Sequence, residues 1–91
     1  MVNTTLELLK MDLGISHNER DEYFEALLLS AKTELEAKGI KLNEASVYDN
    51  LLISDYAAWL YRKRTENVPL ARNLEFRIKN RIIKKRSEGD V

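Results

Sequence analysis

Leu51-Leu52-Ile53-Ser54-Asp55-Tyr56-Ala57-Ala58-Trp59-Leu60-Tyr61 is the densest apolar run in the chain. Projected on a helix, its apolar side chains point nearly all the way round, and no alternation with period two suggests a strand. A helix that is apolar on every side packs on several neighbours, so this segment predicts the buried centre of a helical protein. It falls far short of the roughly 20 residues that span a bilayer. Asp55 lies inside the run, where an unpaired carboxylate would be costly, so it calls for a partner or an exposed sliver of helix. Asn43 or Ser46 is the candidate cap of this third helix.

Working outward, Thr4 and Glu7 have capping-box spacing, Leu6, Leu9 and Leu13 form an apolar stripe, and Gly14 offers a left-handed stop. Ser16 and Glu19 repeat that spacing and predict the start of a second helix, with Asp21, Glu22 and Glu25 near the positive end of its dipole. Phe24, Leu27, Leu28, Ala31 and Leu35 then share one face. Lys38-Gly39-Ile40 is a Schellman-type ending. Asn67-Val68-Pro69 breaks the chain, and Pro69 suits the first turn of a fourth helix. Leu70, Leu74, Ile78 and Ile82 form an i, i+4 ridge there, while Phe76 and Ile83 point to another side. Two apolar faces need two partners. The pattern predicts an all-α fold, a compact bundle of about four helices, with one domain over 1–86 and a short flexible tail over 87–91.

With 91 residues the chain holds one domain, and a domain of this size buries only about 60–65% of its unfolded surface. It has no Cys, one His and three Gly. That composition leaves no thiolate chemistry, no multi-His metal site and no Gly-rich phosphate loop, and it argues against an enzyme, a metal or a cofactor. Met1 to Thr5 lacks a basic leader followed by an apolar stretch, which predicts no export and a soluble protein without membrane association.

Fifteen basic and fifteen acidic residues cancel overall, yet residues 1–50 hold 10 acidic and 5 basic groups and residues 51–91 hold 5 acidic and 10 basic. Complementary halves of this kind can bring copies together head-to-tail, and such a contact closes into a ring when its rotation permits. The basic groups concentrate in Arg62-Lys63-Arg64 and in Arg72, Arg77, Lys79, Arg81, Lys84, Lys85 and Arg86. A solvated helix surface, a protein partner and nucleic acid all remain readings of that cluster. Against nucleic acid stand a pI of about 6.6 and the lack of helix-turn-helix spacing.

Other groups read more simply as structure. Glu19, Asp21, Glu22 and Glu25 lack EF-hand spacing and fit a helix N-terminus. Ser16-His17 is a capping Ser beside an exposed His. Tyr48, Tyr56, Trp59 and Tyr61, at helical spacing, fit a core better than a platform for stacking bases.

The run Asp49-Asn50-Leu51-Leu52-Ile53-Ser54-Asp55-Tyr56-Ala57-Ala58-Trp59-Leu60-Tyr61-Arg62-Lys63-Arg64, then Pro69-Leu70-Ala71-Arg72-Asn73-Leu74 and Asn80-Arg81, resembles small head-to-tail connector (adaptor) proteins of tailed bacteriophages. The similarity also takes in the short first helix, Gly14-Ile15, the acidic turn and the long helix ending at Lys38-Gly39-Ile40. It implies a non-enzymatic structural protein of the virion neck, made in the host cytoplasm, that forms a ring, commonly twelve-fold, between portal and tail. A tail completion or stopper protein docks beneath it, and genomic DNA passes through without sequence-specific contact. Carried onto this chain as a region, the resemblance implicates the basic stretch Arg72–Arg86 in the portal contact. The candidate interface is therefore Arg72, Phe76, Arg77, Lys79, Ile83, Lys84 and Arg86, with Arg62, Lys63 and Arg64 as a second basic surface. The alternative is a small nucleic-acid-binding regulator that uses the same basic groups, distinguishable by steep loss of affinity with salt.

Overall fold

A computed structural model describes the backbone of residues 3–89 and the side chains of residues 5–83. Four helices follow one another: α1 (Asn3–Leu13), α2 (Asp21–Ala37), α3 (Val47–Glu66) and α4 (Arg72–Gly89). No strand occurs among the described residues. The third helix is the centre, packing against α1, α2 and α4.

Both glycine stops form as the sequence predicts. Gly14 (φ 72°) and Gly39 (φ 98°) take the left-handed conformation. Around the first, Ile15 N–H donates to the Lys10 carbonyl (2.8 Å) and Gly14 N–H to Met11 (3.2 Å). Around the second, Ile40 N–H reaches Leu35 (3.2 Å) and Gly39 N–H reaches Glu36 (3.0 Å). Both are Schellman patterns, and Ile40 and Leu35 are buried together as that motif favours.

The start of α2 differs from expectation. The helix begins at Asp21 behind Arg20, with no side-chain cap. Ser16 therefore does not cap it; His17 Nδ1 instead accepts from Glu19 N–H (3.3 Å), and the Asn18 carbonyl accepts from Asp21 N–H (3.3 Å). A tight turn satisfies the Glu19 and Asp21 donors without Ser16. On α3, Ser46 is the cap: its Oγ accepts from Asp49 N–H (3.3 Å), while Asn43 Oδ1 accepts from Ala45 N–H (2.9 Å) in the preceding turn. Asn67, left-handed at φ 51°, ends α3 with its N–H on the Lys63 carbonyl.

The fourth helix starts at Arg72, three residues after Pro69. Trp59 Nε1 donates to the Val68 carbonyl (3.1 Å), holding the connection against α3, and the Ala71 carbonyl accepts the helix's opening bond from Glu75 N–H (2.9 Å). At its other end the backbone of α4 runs to Gly89. The preceding Lys-Lys-Arg run propagates a helix readily. Asp90 and Val91 lie outside the described residues.

Leu9, Phe24, Leu28, Ala31, Leu35, Leu52, Ile53, Tyr56, Ala57, Ala58, Leu74 and Ile78 make one buried cluster. The radius of gyration, 13.6 Å, exceeds the roughly 12 Å of a compact chain this long. The body is elongated, 48 × 29 × 18 Å, and leaves much helix surface uncovered.

Candidate assembly surface

The i, i+4 ridge of α4 is its inner face. Leu74 and Ile78 are buried, and Leu70 and Ile82 pack at the edge of the core. Two ion pairs tie that face to α3. Arg77 Nη1 lies 2.7 Å from Asp55 Oδ2. Four residues on, Arg81 pairs with Asp49 and also donates to the Lys41 carbonyl (3.1 Å). Asp49 is 4% exposed, and its second oxygen accepts from Asn43 N–H (2.8 Å). Burial alone would push its carboxyl upward, but the Arg81 guanidinium and the Asn43 amide hold it below the usual carboxylate value. Asp55 thus has the partner its apolar surroundings demand, and Arg77 is engaged within the chain.

The opposite face of α4 is open. Phe76 is 64% and Ile83 61% exposed, with Arg72 and Lys79 beside them in solvent. At about 100° per residue, positions 72, 76, 79 and 83 fall on one side of the helix, away from Leu74 and Ile78. Lys79 pairs with Glu75, four residues back (3.0 Å), an exposed pair of little energetic weight. The side chains of Lys84 and Arg86 lie outside the described residues.

The other basic group is exposed but makes contacts within the chain. Arg62 pairs with Asp12 (3.2 Å), Lys63 Nζ sits 4.9 Å from the centre of the Trp59 ring, and Arg64 Cζ sits 5.1 Å from that of Tyr23. Arg20 reaches the same tyrosine at 4.7 Å, a contact no sequence spacing announced. Lys63 and Arg64 also occupy the last turn of α3, where cations suit the helix dipole. Among the four ring residues expected in the core, Tyr56 is buried and Trp59 and Tyr61 pack at its edge, but Tyr48 is 81% exposed. It lies in the opening turn of α3 and flanks a recess beside Asn80 and Arg81 of α4.

Three surface recesses border α4. One of about 290 Å³ is lined by Asp12, Asp55, Trp59, Arg62 and Arg77 among others. Each carboxylate there already faces an arginine, and the lining includes no Ser or His to act as nucleophile or base. A second, of about 260 Å³, is flanked by Tyr48, Leu51, Asn80 and Arg81. A third, of about 550 Å³, has an apolar floor of Leu70, Ile78 and Ile82. No cluster of three metal-ligating side chains occurs among the described residues, the acidic start of α2 included. None of the described helices is long and apolar enough to cross a membrane.

No family model, curated protein or solved structure matches the chain.

Proposed function

We propose that the chain is a structural, non-enzymatic assembly subunit, a head-to-tail connector that forms a ring between a phage portal and tail. One observation carries the reading: α4 is anchored on its inner face by two arginine–aspartate pairs, yet holds Phe76 and Ile83 out in solvent between cations. Large apolar groups kept exposed on a helix whose other face is engaged with its own core are suited to a contact with another chain. The opposite charge of the two halves and the sequence resemblance support the same reading. Its partners are further copies of the chain, commonly twelve in the virion, then the portal, a tail completion or stopper protein, and genomic DNA that passes without sequence readout. The neck of the virion is its place, after assembly in the host cytoplasm. No cofactor enters this role.

Mass by light scattering tests the reading, over a range of protein concentration and salt, with and without the cognate portal, and with duplex DNA as competitor. A ring-sized species, alone or on the portal, is the expected result. A monomer that ignores the portal and binds only DNA, with affinity falling steeply as salt rises, overturns it in favour of a nucleic-acid regulator.

A further inference from the structure

The outward face of α2 has the same repeat as that of α4 and the opposite sign. Glu22, Leu29 and Glu36 recur at i, i+7 and i+14, opposite the buried Phe24, Leu28, Ala31 and Leu35. All three are exposed, Leu29 by 60%, and neither glutamate has an ion-pair partner among the described residues. On α4, Arg72 and Lys79 follow the same seven-residue step, and the next position in that series is Arg86. Phe76 and Ile83 bracket Lys79.

We propose that the outward stripe of α4 in one copy, Arg72, Phe76, Lys79 and Ile83, docks across the outward stripe of α2, Glu22, Leu29 and Glu36, in a second copy. This rests on the ring-subunit reading and specifies its contact. With Leu29 seated between Phe76 and Ile83, the glutamates seven residues to either side, about 10 Å away along the helix, fall level with the Arg72 and Arg86 positions. Leu29, Phe76 and Ile83 meet around the level of Lys79 and opposite charges meet at the ends, a layout usual for a specific interface. Both stripes face away from their own core. One copy therefore offers α4 to a neighbour while its α2 receives another, a heterologous contact of the kind that closes rings.

Two doubly substituted full-length chains test it. In one, Arg72 and Arg86 are replaced (R72E and R86E); in the other, Glu22 and Glu36 (E22K and E36K). Arg72, Glu22 and Glu36 are exposed, and helix-dipole effects of these changes are small, so melting of each variant should stay close to that of the wild type. Each alone is expected to self-associate at least about tenfold more weakly, because like charges then face each other. Mixed together they should associate again, since every contact in an alternating assembly regains opposite charge. Wild-type association that ignores both swaps, or a mixture that stays apart, overturns the contact.

A second measurement fixes the geometry and works even if association is weak without the portal. The natural chain has no Cys, so Leu29→Cys and Phe76→Cys chains can be mixed at high concentration in a glutathione buffer that lets disulfides exchange. The mixed disulfide should outweigh both like-with-like products combined. Dominant pairing of Phe76→Cys with itself would mean a two-fold contact between α4 helices, and random pairing would mean no contact; either overturns the proposal. Failure here beside a ring on the portal removes this contact alone, whereas a monomer that ignores the portal removes the ring reading too. Binding of duplex DNA that disappears with R72E and R86E, without association of copies, would assign the α4 stripe to nucleic acid instead.

Discussion

Arg81 of α4 closes over Asp49 in the first turn of α3, and the same guanidinium reaches the Lys41 carbonyl in the loop before that helix. One side chain thus joins the last helix, the central helix and the α2–α3 connection. Asp49 is nearly inaccessible, so the pair lies at the edge of the core.

Removing Arg81 leaves that carboxylate buried with the Asn43 amide as its remaining strong partner. Arg81→Ala should lower unfolding free energy by about 2–3 kcal/mol, below the range for a fully buried pair because the arginine itself is one-third exposed. Arg77→Ala, at the more exposed Asp55 pair, should cost about 1 kcal/mol or less. Urea unfolding of the two variants measures the difference; equal effects would mean that burial of Asp49 is not what matters.

The same pair gives stability a pH dependence. The folded carboxyl of Asp49 titrates below its ordinary value of 3.8, so the folded state binds fewer protons than the unfolded state in that range. Its contribution is complete above the unfolded value and is lost as pH falls through the lower folded one. Below about pH 4 the wild type should therefore lose stability more steeply than Asp49→Asn. Thermal melts between pH 2 and 6 give both slopes, and parallel curves would exclude Asp49 as the source.

At the alkaline end Tyr56 should act. Burial, then the charge of Glu34 and its 3.2 Å hydrogen bond, push the phenol from 10.0 up to about 12. A raised phenol contributes stability that is whole below the unfolded value and declines as pH rises toward the folded one. Wild-type stability should fall between pH 10 and 12, and Tyr56→Phe should flatten that fall. Ultraviolet titration should show a late-ionising phenol that disappears in the variant.

Two phenylalanines should behave in opposite ways. Phe24 is wholly buried and meets Tyr23 and Tyr61 at 5.4 and 5.8 Å between ring centres, so Phe24→Ala should cost about 3–5 kcal/mol. Phe76→Asp should leave helix content and melting within about 0.5 kcal/mol of the wild type while weakening assembly. If Phe76→Asp unfolds the monomer instead, Phe76 belongs to the core and not to a contact.

At the two helix stops, a Cβ would meet no atom within 4 Å at either Gly14 or Gly39. Alanine there should cost about 1 kcal/mol from the left-handed backbone alone. Gly14→Asn, at φ 72°, should recover part of that loss because Asn tolerates the conformation better. Calorimetric melts check the order.

Much of the architecture was legible because it depends on local periodicity. The Gly14 and Gly39 stops, the buried face of α2, the all-round apolar α3 and the inner ridge of α4 each follow from side-chain spacing on a helix. Ser16 misled, since His17 takes the Glu19 N–H that a Ser16 cap would have taken and the helix starts later, at Asp21. Pro69 misled by three residues, because the Trp59 bond to Val68 holds the connection out of the helix. Tyr48 has the helical spacing of a core residue, but it lies in the opening turn of α3, where its ring is exposed.

The sequence by itself determined four helical segments, an outward Phe76–Ile83 side on the last of them and the opposite charge of the two halves, since short-range steric and hydrophobic preferences suffice for those. Only the tertiary structure decided which charges are left over. Asp49 and Arg81 are 32 residues apart and Asp55 and Arg77 are 22 apart. Nothing local joins either pair, and a charge is satisfied or free according to what packing brings within reach. That pairing leaves Arg72 and Lys79 facing outward and takes Arg77 and Arg81 into the fold.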